Sequence, residues 1–114
     1  MRSDVDRLRD ILEAVDAIGK YTSQGRSLFD SDELVRIFCL HHIEIVGEAA
    51  SRLSEELRKR HPVAPWRNII AMRNALIHGY FDVDWEIVWA VASNELQPLK
   101  EAIGGILTAE KWTP

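Results

Sequence analysis

Cysteine is nearly absent from the sequence: Cys39 is the only one among 114 residues, and it lies in an apolar run. One cysteine cannot form a disulfide within the chain, so we expect a reducing compartment and a buried structural thiol. The chain also lacks an apolar signal region after Met1 and any window close to the roughly 20 apolar residues that cross a membrane. These absences predict a cytoplasmic protein with no membrane partner.

Strand patterns are missing as well, because no segment alternates apolar and polar residues with period two over a useful length. Apolar residues instead recur at helical spacing, first in the segment that follows the capping-box pattern of Ser3 and Asp6. A chain of 114 residues fits one folding unit with a modest core. We therefore predict a single domain over residues 1–114, an all-α antiparallel bundle of four to five helices whose last few residues fray.

Capping residues and helix breakers set the expected boundaries. Asp30 and Glu33 have the capping-box form, and helix-forming residues continue from there to Arg60, which predicts one long second helix. A third helix is expected from Pro65 to a C-terminal Gly79, and a fourth helix is expected to be capped by Asp82 or Asp84. The last helix should restart at Ser93 or Asn94 and tolerate Pro98 in its first turn. It should fray after Gly104 and Gly105.

The long second helix carries apolar or small residues on two faces. One stripe includes Val35 and Val46, and the opposite stripe includes Ile37, Leu40 and Gly47. A helix that is apolar on two faces has to be buried on two faces. In so small a chain we expect one face in the core of the monomer and the other against a second copy, which predicts a homodimer.

Positive charge is scarce overall but concentrated in one segment. The net charge is −4, which by itself argues against binding to nucleic acid. Residues 52–73, however, hold six basic and two acidic side chains, a local charge of +4. Within them Lys59, Arg60 and Arg67 are candidates for contacts with RNA phosphates. A solvated helix end, where the dipole favours basic residues, explains the first two of these equally well.

The next segment, Arg73 to Tyr80, gathers a guanidinium, an imidazole and a phenol within eight residues. On an ideal helix Asn74 and His78 share a face, with Arg73 one position round. In RNA cleavage the ribose 2′-OH is the nucleophile, so a cation, a base and an acid around the phosphate suffice without a metal. We predict that Arg73 stabilises the pentacoordinate phosphorane, that His78 transfers protons and that Asn74 orients the imidazole.

These residue types also have ordinary structural explanations. A histidine in the last turn of a helix is favoured by the dipole, an arginine on a helix is usually solvated, and a tyrosine after a turn usually packs. This segment contains one histidine, His78, which is too few for both proton transfers. A dimer that faces two such segments across one cleft would supply the second histidine.

The letters R-N-A-L-I-H-G-Y from Arg73 to Tyr80 form an R-x4-H-x-Y motif, which resembles the signature of the HepT-like branch of the HEPN superfamily. The likeness extends over most of the chain, through Ile45–Ala50, Pro65–Met72 and His78–Trp89. Because these flanking segments occur in the same order, the match is specific.

The resemblance implies a dimeric helical bundle with active sites in the intersubunit cleft and a metal-independent ribonuclease activity that uses Arg73 and His78. It also implies that the chain is the toxin of a toxin–antitoxin pair. The antitoxin would be an MNT-type nucleotidyltransferase that uses ATP to AMPylate Tyr80, while this chain needs no cofactor. An adenylate there would place bulk and negative charge beside the site and repel the RNA phosphate. The alternative is a non-catalytic HEPN module that dimerises and binds a nucleotidyltransferase or a nucleotide.

His41, Glu44 and Glu48 on the second helix could in principle bind a metal. Carboxylate-bridged metal bundles need Glu-x-x-His pairs on two helices, and the sequence contains none. We therefore expect no metal and interpret Glu48 as a hydrogen-bonding residue near the cleft. Trp85 and Trp89 could stack on bases, but we expect them to fill the core.

Overall fold

Helices make up the regular structure of the chain. The computed structural model describes residues 2–77 and 82–112, and within these ranges the chain forms seven α-helices and one π-helical turn, with no strand. The bounds are α1 Asp4–Thr22, α2 Arg26–Ser31, α3 Glu33–Ser51, α4 Glu55–Arg60, α5 Trp66–Ile77, α6 Trp85–Ala90, the π-helical turn Val91–Glu95 and α7 Leu96–Ala109. The predicted all-α fold is confirmed.

The central helix of the bundle is α3. It packs against α1 and against α5, and α1 packs in turn against α7. Because α6, the π-helical turn and α7 follow one another without a gap, they form a fourth long helical segment. The buried apolar side chains of these segments make one continuous core. No helix in the described part of the chain is both long and apolar enough to cross a membrane.

The first helix begins as predicted. The Ser3 hydroxyl accepts a hydrogen bond from the N–H of Asp6, and the Asp6 carboxylate accepts one from the N–H of Ser3, each at 3.2 Å. This reciprocal pair is the capping box that the sequence indicates.

The predicted uninterrupted second helix is wrong, because the chain breaks between α3 and α4. Ser54 is the N-cap of α4, and its hydroxyl accepts a hydrogen bond from the N–H of Leu57. The carboxylate of Asp4, at the start of α1, accepts hydrogen bonds from the N–H of Ser54 at 2.8 Å and from its hydroxyl at 2.5 Å. Since Leu53 and Leu57 are both buried, the break also directs two leucines into the core.

The N-cap of α3 is Asp32, so the predicted cap at Asp30 is wrong. The Asp32 carboxylate accepts hydrogen bonds from the N–H groups of the first turn at 2.9 and 3.4 Å. Asp30 lies instead in α2, the short helix that begins after Gly25, whose φ is +97°. Phe29 of α2 is buried, which holds this extra turn against the core.

Asp84 caps α6 and is one of the two predicted candidates. Its carboxylate accepts hydrogen bonds from N–H groups of the first turn at 3.0 and 3.4 Å. The rings of Trp85 and Trp89 lie beside Phe29, with centroids 6.3 and 5.2 Å away. Both indoles pack against the core, which confirms that they contribute to it.

The predicted restart of the chain at Ser93 or Asn94 is wrong, since both lie in the π-helical turn of an unbroken segment. The Ser93 hydroxyl donates to the carbonyl of Trp89 at 2.7 Å, so it serves inside the helix and does not cap a new one. The wider turn precedes Pro98, which has no N–H for a helical hydrogen bond and whose ring needs room.

The predicted fraying after Gly104 and Gly105 is also wrong, because α7 continues to Ala109. Ile103 and Leu107 are buried on either side of the glycines. Their packing outweighs the helix penalty of about 1 kcal/mol that each glycine carries relative to alanine.

Most of each apolar face of α3 is covered within the single chain. Val46 from one stripe and Leu40 and Gly47 from the other are buried, while α1 and α5 pack alongside. The large apolar residues of α3 that stay exposed are Leu34, at 76%, and Ile37, at 48%. The spare face on which the homodimer was predicted is therefore small, and the dimer stays a prediction.

Candidate active site

Arg73 is fixed in place where α5 crosses α3. A Cβ built on Gly47 of α3 would lie 2.1 Å from the Cβ of Arg73 and 2.5 Å from its Cγ. Carbon atoms in ordinary contact are about 3.5–4.0 Å apart, so only glycine leaves room for this crossing. The contact sets the point from which the Arg73 side chain extends.

The guanidinium of Arg73 is held by two neighbours. Nη2 donates to Oε2 of Glu48 at 2.5 Å, and Nη1 donates to Oδ1 of Asn74 at 3.0 Å. Nε is buried and has no hydrogen-bond partner among the described residues. Two of the five N–H donors of the guanidinium are therefore used, and these two bonds orient the planar group.

Glu48 is shared between two arginines. While Oε2 accepts from Arg73, Oε1 accepts from Nε of Arg52 at 2.5 Å. The hydrogen bond from Arg52, together with the charges of Arg73, Arg52 and Arg7, lowers the pKa of the Glu48 carboxyl. Because burial opposes this shift only in part, Glu48 carries a negative charge at neutral pH and anchors Arg73.

A cleft of about 380 Å³ opens beside this ion pair, between α1, α3 and α5. One oxygen of Glu44, Oε1, is buried and has no hydrogen-bond partner in the part of the chain that the structure describes. Glu44 and Arg73 both line the cleft with other atoms, while these two unpartnered atoms are closed to solvent. Its lining residues are Arg7, Asp10, His41, Glu44, Ile45, Glu48, Ala49 and Arg73.

Asn74 lies on the exposed face of α5. Arg67, Asn68 and Ala71 are exposed on the same helix, and helical spacing aligns Arg67, Ala71 and Asn74 in one stripe. His78 follows Asn74 in the sequence by four residues. The stripe ends at Asn74, whose Oδ1 accepts a hydrogen bond from the Arg73 guanidinium.

Two of the three predicted RNA-binding residues lie in one groove. Lys59 and Arg67 line it together with Arg58, and the groove has a volume of about 660 Å³. Arg60 lies elsewhere, because its Nη2 donates to Oε1 of Glu110 at 2.5 Å. That hydrogen bond lowers the pKa of Glu110 and joins α4 to the C-terminal end of α7.

Two predicted site residues, His78 and Tyr80, lie outside the described residues. The structure describes α5 as far as Ile77. It brings together Arg73, Asn74 and Glu48, and the roles assigned to His78 and Tyr80 stay predictions.

The role of Gly47 and most of the partners around Glu48 are not among the features predicted from the sequence. A glycine inside an otherwise apolar helix indicates close approach of another backbone, and this signal at Gly47 was available. Glu44, Glu48 and Arg52 are spaced by four residues, which also predicts neighbours on one helix face. The pairing of Glu48 with Arg73 spans 25 residues, and no local pattern indicates it.

The metal site considered on α3 finds no support in the geometry. Within residues 2–77 and 82–112 no group of three or more His, Cys, Asp or Glu side chains is placed to hold a metal ion. Glu48 is occupied by Arg52 and Arg73. His41 is exposed, with its ring centroid 5.4 Å from that of His42.

The fold and the site together define a class of protein. The class is the HEPN-type helical bundle. Here an arginine packs directly against a glycine and donates a hydrogen bond to a glutamate, and a histidine follows it five residues later in the sequence. The chain belongs to the ribonuclease HepT-like family, whose sequence model matches residues 11–106.

Similar proteins come from archaea and bacteria. A protein of Thermococcus cleftensis named "Probable ribonuclease HepT" is 34% identical over 100 residues, covering 87% of this chain and 91% of its own. Two further relatives are also named, provisionally, as RNases. One, from Caldanaerobacter subterraneus subsp. tengcongensis, is 40% identical over 68% of this chain and 69% of its own. The other, from Methanocaldococcus jannaschii, is 31% identical over 88% of this chain and 84% of its own. No solved structure gave a significant match.

Proposed function

We propose that this chain is an endoribonuclease that cleaves RNA through Arg73 and His78 without a metal ion. The observation that carries the proposal is the guanidinium of Arg73, seated on Gly47 and held by Glu48 and Asn74. Membership of the ribonuclease HepT-like family and the names of the relatives support it.

In this mechanism the ribose 2′-OH attacks the neighbouring phosphorus and the 5′-oxygen leaves. Negative charge grows on the phosphorane oxygens, and Arg73 stabilises it from a fixed position, so little reorganisation is needed at the moment of reaction. The Glu48 carboxylate also accepts a hydrogen bond from Arg52, so its negative charge is shared between two arginines. His78 takes the proton from the 2′-OH or gives one to the leaving oxygen.

A second copy of the chain would supply the second proton-transfer group. An apolar groove of about 630 Å³ between α5 and α6 includes Met72, Leu76 and Ile87 in its lining, and Ile87 is 54% exposed. This surface flanks the segment that contains His78 in the sequence and supports a homodimer there. Light scattering at low micromolar concentration should give a dimer, and a monomer at that concentration would contradict the shared site.

The test of the activity is RNA cleavage by purified protein in excess EDTA. We expect the wild type to cut RNA, and Arg73→Ala and His78→Ala to lose at least a hundredfold in rate with their folds retained. Lys20→Ala removes an exposed cation at the end of α1 and should cleave like the wild type. Equal cleavage by all four proteins would refute the assignment. Absence of cleavage in all of them, with dimerisation intact, would favour the non-catalytic module.

We further propose that the chain is the toxin of a toxin–antitoxin pair and that a nucleotidyltransferase antitoxin silences it by AMPylating Tyr80. The position of Tyr80 two residues after His78 supports this, because an added phosphate would repel the RNA backbone. Intact-mass measurement after incubation with the nucleotidyltransferase and ATP should show an adenylate adduct that Tyr80→Phe lacks. An adduct that persists in Tyr80→Phe would show that another residue carries the adenylate.

A further inference from the structure

The basic groove lined by Arg58, Lys59 and Arg67 lies between α4 and the first turn of α5 and has a volume of about 660 Å³. Lys59 and Arg67 are exposed, and Arg58 is half-buried. The whole chain has a net charge of −4, so three cations on one groove depart from the acidic average. Clustered cations attract a polyanion, because each phosphate that they neutralise releases condensed counterions.

The cations of the basic groove are only weakly engaged by the fold. Within the described part of the chain no ion pair involves Arg58 or Arg67. Nζ of Lys59 lies 3.7 Å from Oε1 of Glu55, and both side chains are largely exposed. An exposed pair at this distance contributes little stability, so Lys59 can exchange its carboxylate for a phosphate. Three positive charges are therefore available to a ligand.

The two walls of the basic groove are held together by contacts that do not use its cations. Nη2 of Arg60 and Nε2 of His61 lie 2.5 and 3.3 Å from the carboxylate oxygens of Glu110, which joins the end of α4 to the end of α7. The indole N–H of Trp66 donates to the carbonyl of His61 at 3.0 Å, which joins the start of α5 to the same loop. Leu57 and Trp66 are also buried. The groove is therefore preformed, so little ordering opposes binding.

The exposed face of α5 leads from the basic groove toward the candidate active site. Arg67, Ala71 and Asn74 are exposed on this face, and Asn74 follows Arg67 by seven residues, about 10 Å along the helix. Oδ1 of Asn74 accepts a hydrogen bond from Nη1 of Arg73 at 3.0 Å. At about 3.4 Å per nucleotide of a stacked strand, this distance corresponds to about three nucleotides.

We infer that the basic groove binds the sugar-phosphate backbone of the RNA substrate about three nucleotides away from the phosphate that is cleaved. The inference rests on the proposed ribonuclease function. It assigns Arg58, Lys59 and Arg67 as substrate-binding residues and Arg60 as a structural residue. Trp66 is buried with its N–H bonded, so its indole is not available to stack on a base. Contacts to phosphates carry no sequence information, and the groove should bind strands of different sequence equally.

Binding of a 2′-O-methylated oligonucleotide tests the basic groove without cleavage, because such a strand has no 2′-OH to attack the phosphate. The test variant carries Arg58→Gln, Lys59→Gln and Arg67→Gln together. Each phosphate contact to a single strand contributes a slope of about −0.7 to log K against log salt concentration. Loss of three contacts should reduce the slope by about 2 and weaken binding about a hundredfold at about 0.1 M salt. The loss should be equal for oligoadenylate and oligouridylate.

The matched control loses the same number of arginines and lysines at exposed positions that do not line the basic groove. It carries Arg2→Gln, Lys20→Gln and Arg26→Gln together. It should keep the wild-type slope, because a charge that contacts no phosphate releases few counterions. Equal slopes in the two triple variants would overturn the inference and leave the basic residues of α4 as a solvated helix end.

Urea unfolding of both triple variants establishes that they fold. If the groove variant is unfolded, Arg67→Gln alone, at an exposed position, should still reduce the slope by about 0.7. An unchanged slope in this single variant would equally overturn the inference.

Two results would assign the basic groove to a different ligand. If inorganic phosphate displaces the oligonucleotide far better than chloride at the same ionic strength, the groove is a site for a small anion. If the groove variant binds RNA like the wild type but no longer binds the nucleotidyltransferase, the groove is a docking surface for an acidic protein. Either result overturns the inference.

Cleavage kinetics distinguish the basic groove from the catalytic site. With a long RNA the groove variant should raise KM about a hundredfold and keep kcat, because the groove contacts the strand equally in the ground state and the transition state. A dinucleotide that reaches Arg73 is too short for the groove, so variant and wild type should cleave it alike. A lower kcat with either substrate would contradict the assignment. If no form of the protein cleaves RNA, the proposed ribonuclease function fails, while the binding measurements still decide whether the groove holds a strand.

Discussion

Replacement of Gly47 by alanine should displace Arg73 while it lowers the stability of the fold only slightly. The new methyl group would lie 2.1 Å from the Cβ of Arg73, about 1.4 Å inside the shortest ordinary contact of about 3.5 Å. Helices α3 and α5 would have to move apart by about that distance. Overpacking of this kind costs about 1–3 kcal/mol, and the gain in helix propensity from glycine to alanine returns about 1 kcal/mol. The net loss of stability should be about 0–2 kcal/mol.

The effect of Gly47→Ala on cleavage should be much larger. A misplacement of about 1 Å at a catalytic group can lower a rate by about a hundredfold, and here the displaced group is the proposed phosphate ligand, Arg73. The assay is single-turnover cleavage of a labelled RNA in EDTA, together with urea unfolding of the same preparations. We expect about a hundredfold lower rate with a fold that remains cooperative.

The matched control for this substitution is Gly105→Ala on α7. A Cβ added at Gly105 meets no atom within 4 Å, so alanine there should raise the stability by up to about 1 kcal/mol and leave the cleavage rate unchanged. If Gly47→Ala cleaves at the wild-type rate, the helix crossing does not position Arg73. If Gly105→Ala slows cleavage as much, the effect is not specific to the crossing.

Two other substitutions and one labelling experiment test the role of Glu48, the burial of Cys39 and the hydrogen bonds between Asp4 and Ser54. Glu48→Gln should slow cleavage about tenfold. Because the folded-state pKa of Glu48 is lowered, its charge contributes stability above its ordinary pKa, so the difference in urea stability between wild type and Glu48→Gln should disappear as pH falls through the acid range. Burial raises the pKa of the Cys39 thiol to about 11, so a thiol reagent at pH 8 should label it only after unfolding, and fast labelling of the native chain would contradict its burial. Asp4→Asn should lower the free energy of unfolding by about 1.5–3 kcal/mol, the range for hydrogen bonds to a charged group, without a change in cleavage. An unaltered urea midpoint would show that the bonds from Ser54 contribute nothing.

Local signals in the sequence predict the parts of the fold that local contacts decide. The capping box of Ser3 and Asp6 and the cap at Asp84 depend on residues within one turn, and the structure has both. The break at Ser54 depends on Asp4, fifty residues earlier, which no window of helix propensity includes. Helix-forming residues continue through this corner, so the sequence alone favours one uninterrupted helix, and a distant carboxylate fixes the break.

The candidate site shows the same division between local and distant information. The motif places Arg73 beside Asn74, and a hydrogen bond joins them. Glu48, which accepts a hydrogen bond from Arg73, and Gly47, which Arg73 packs against, both lie on α3. Their positions relative to Arg73 depend on how α3 and α5 cross. The sequence also suggested a spare apolar face on α3, but α1 and α5 together cover most of it. Periodicity shows that a face is apolar and does not show which neighbour buries it.

Cleavage of an RNA and of its 2′-O-methylated counterpart by one preparation in EDTA tests the central claim most directly. If Arg73 and His78 assist attack by the ribose 2′-OH, the RNA should be cut at a measurable rate without metal, and the methylated strand of the same sequence should stay intact. Cleavage of both strands, or cleavage of the RNA only after Mg²⁺ is restored, would contradict the account.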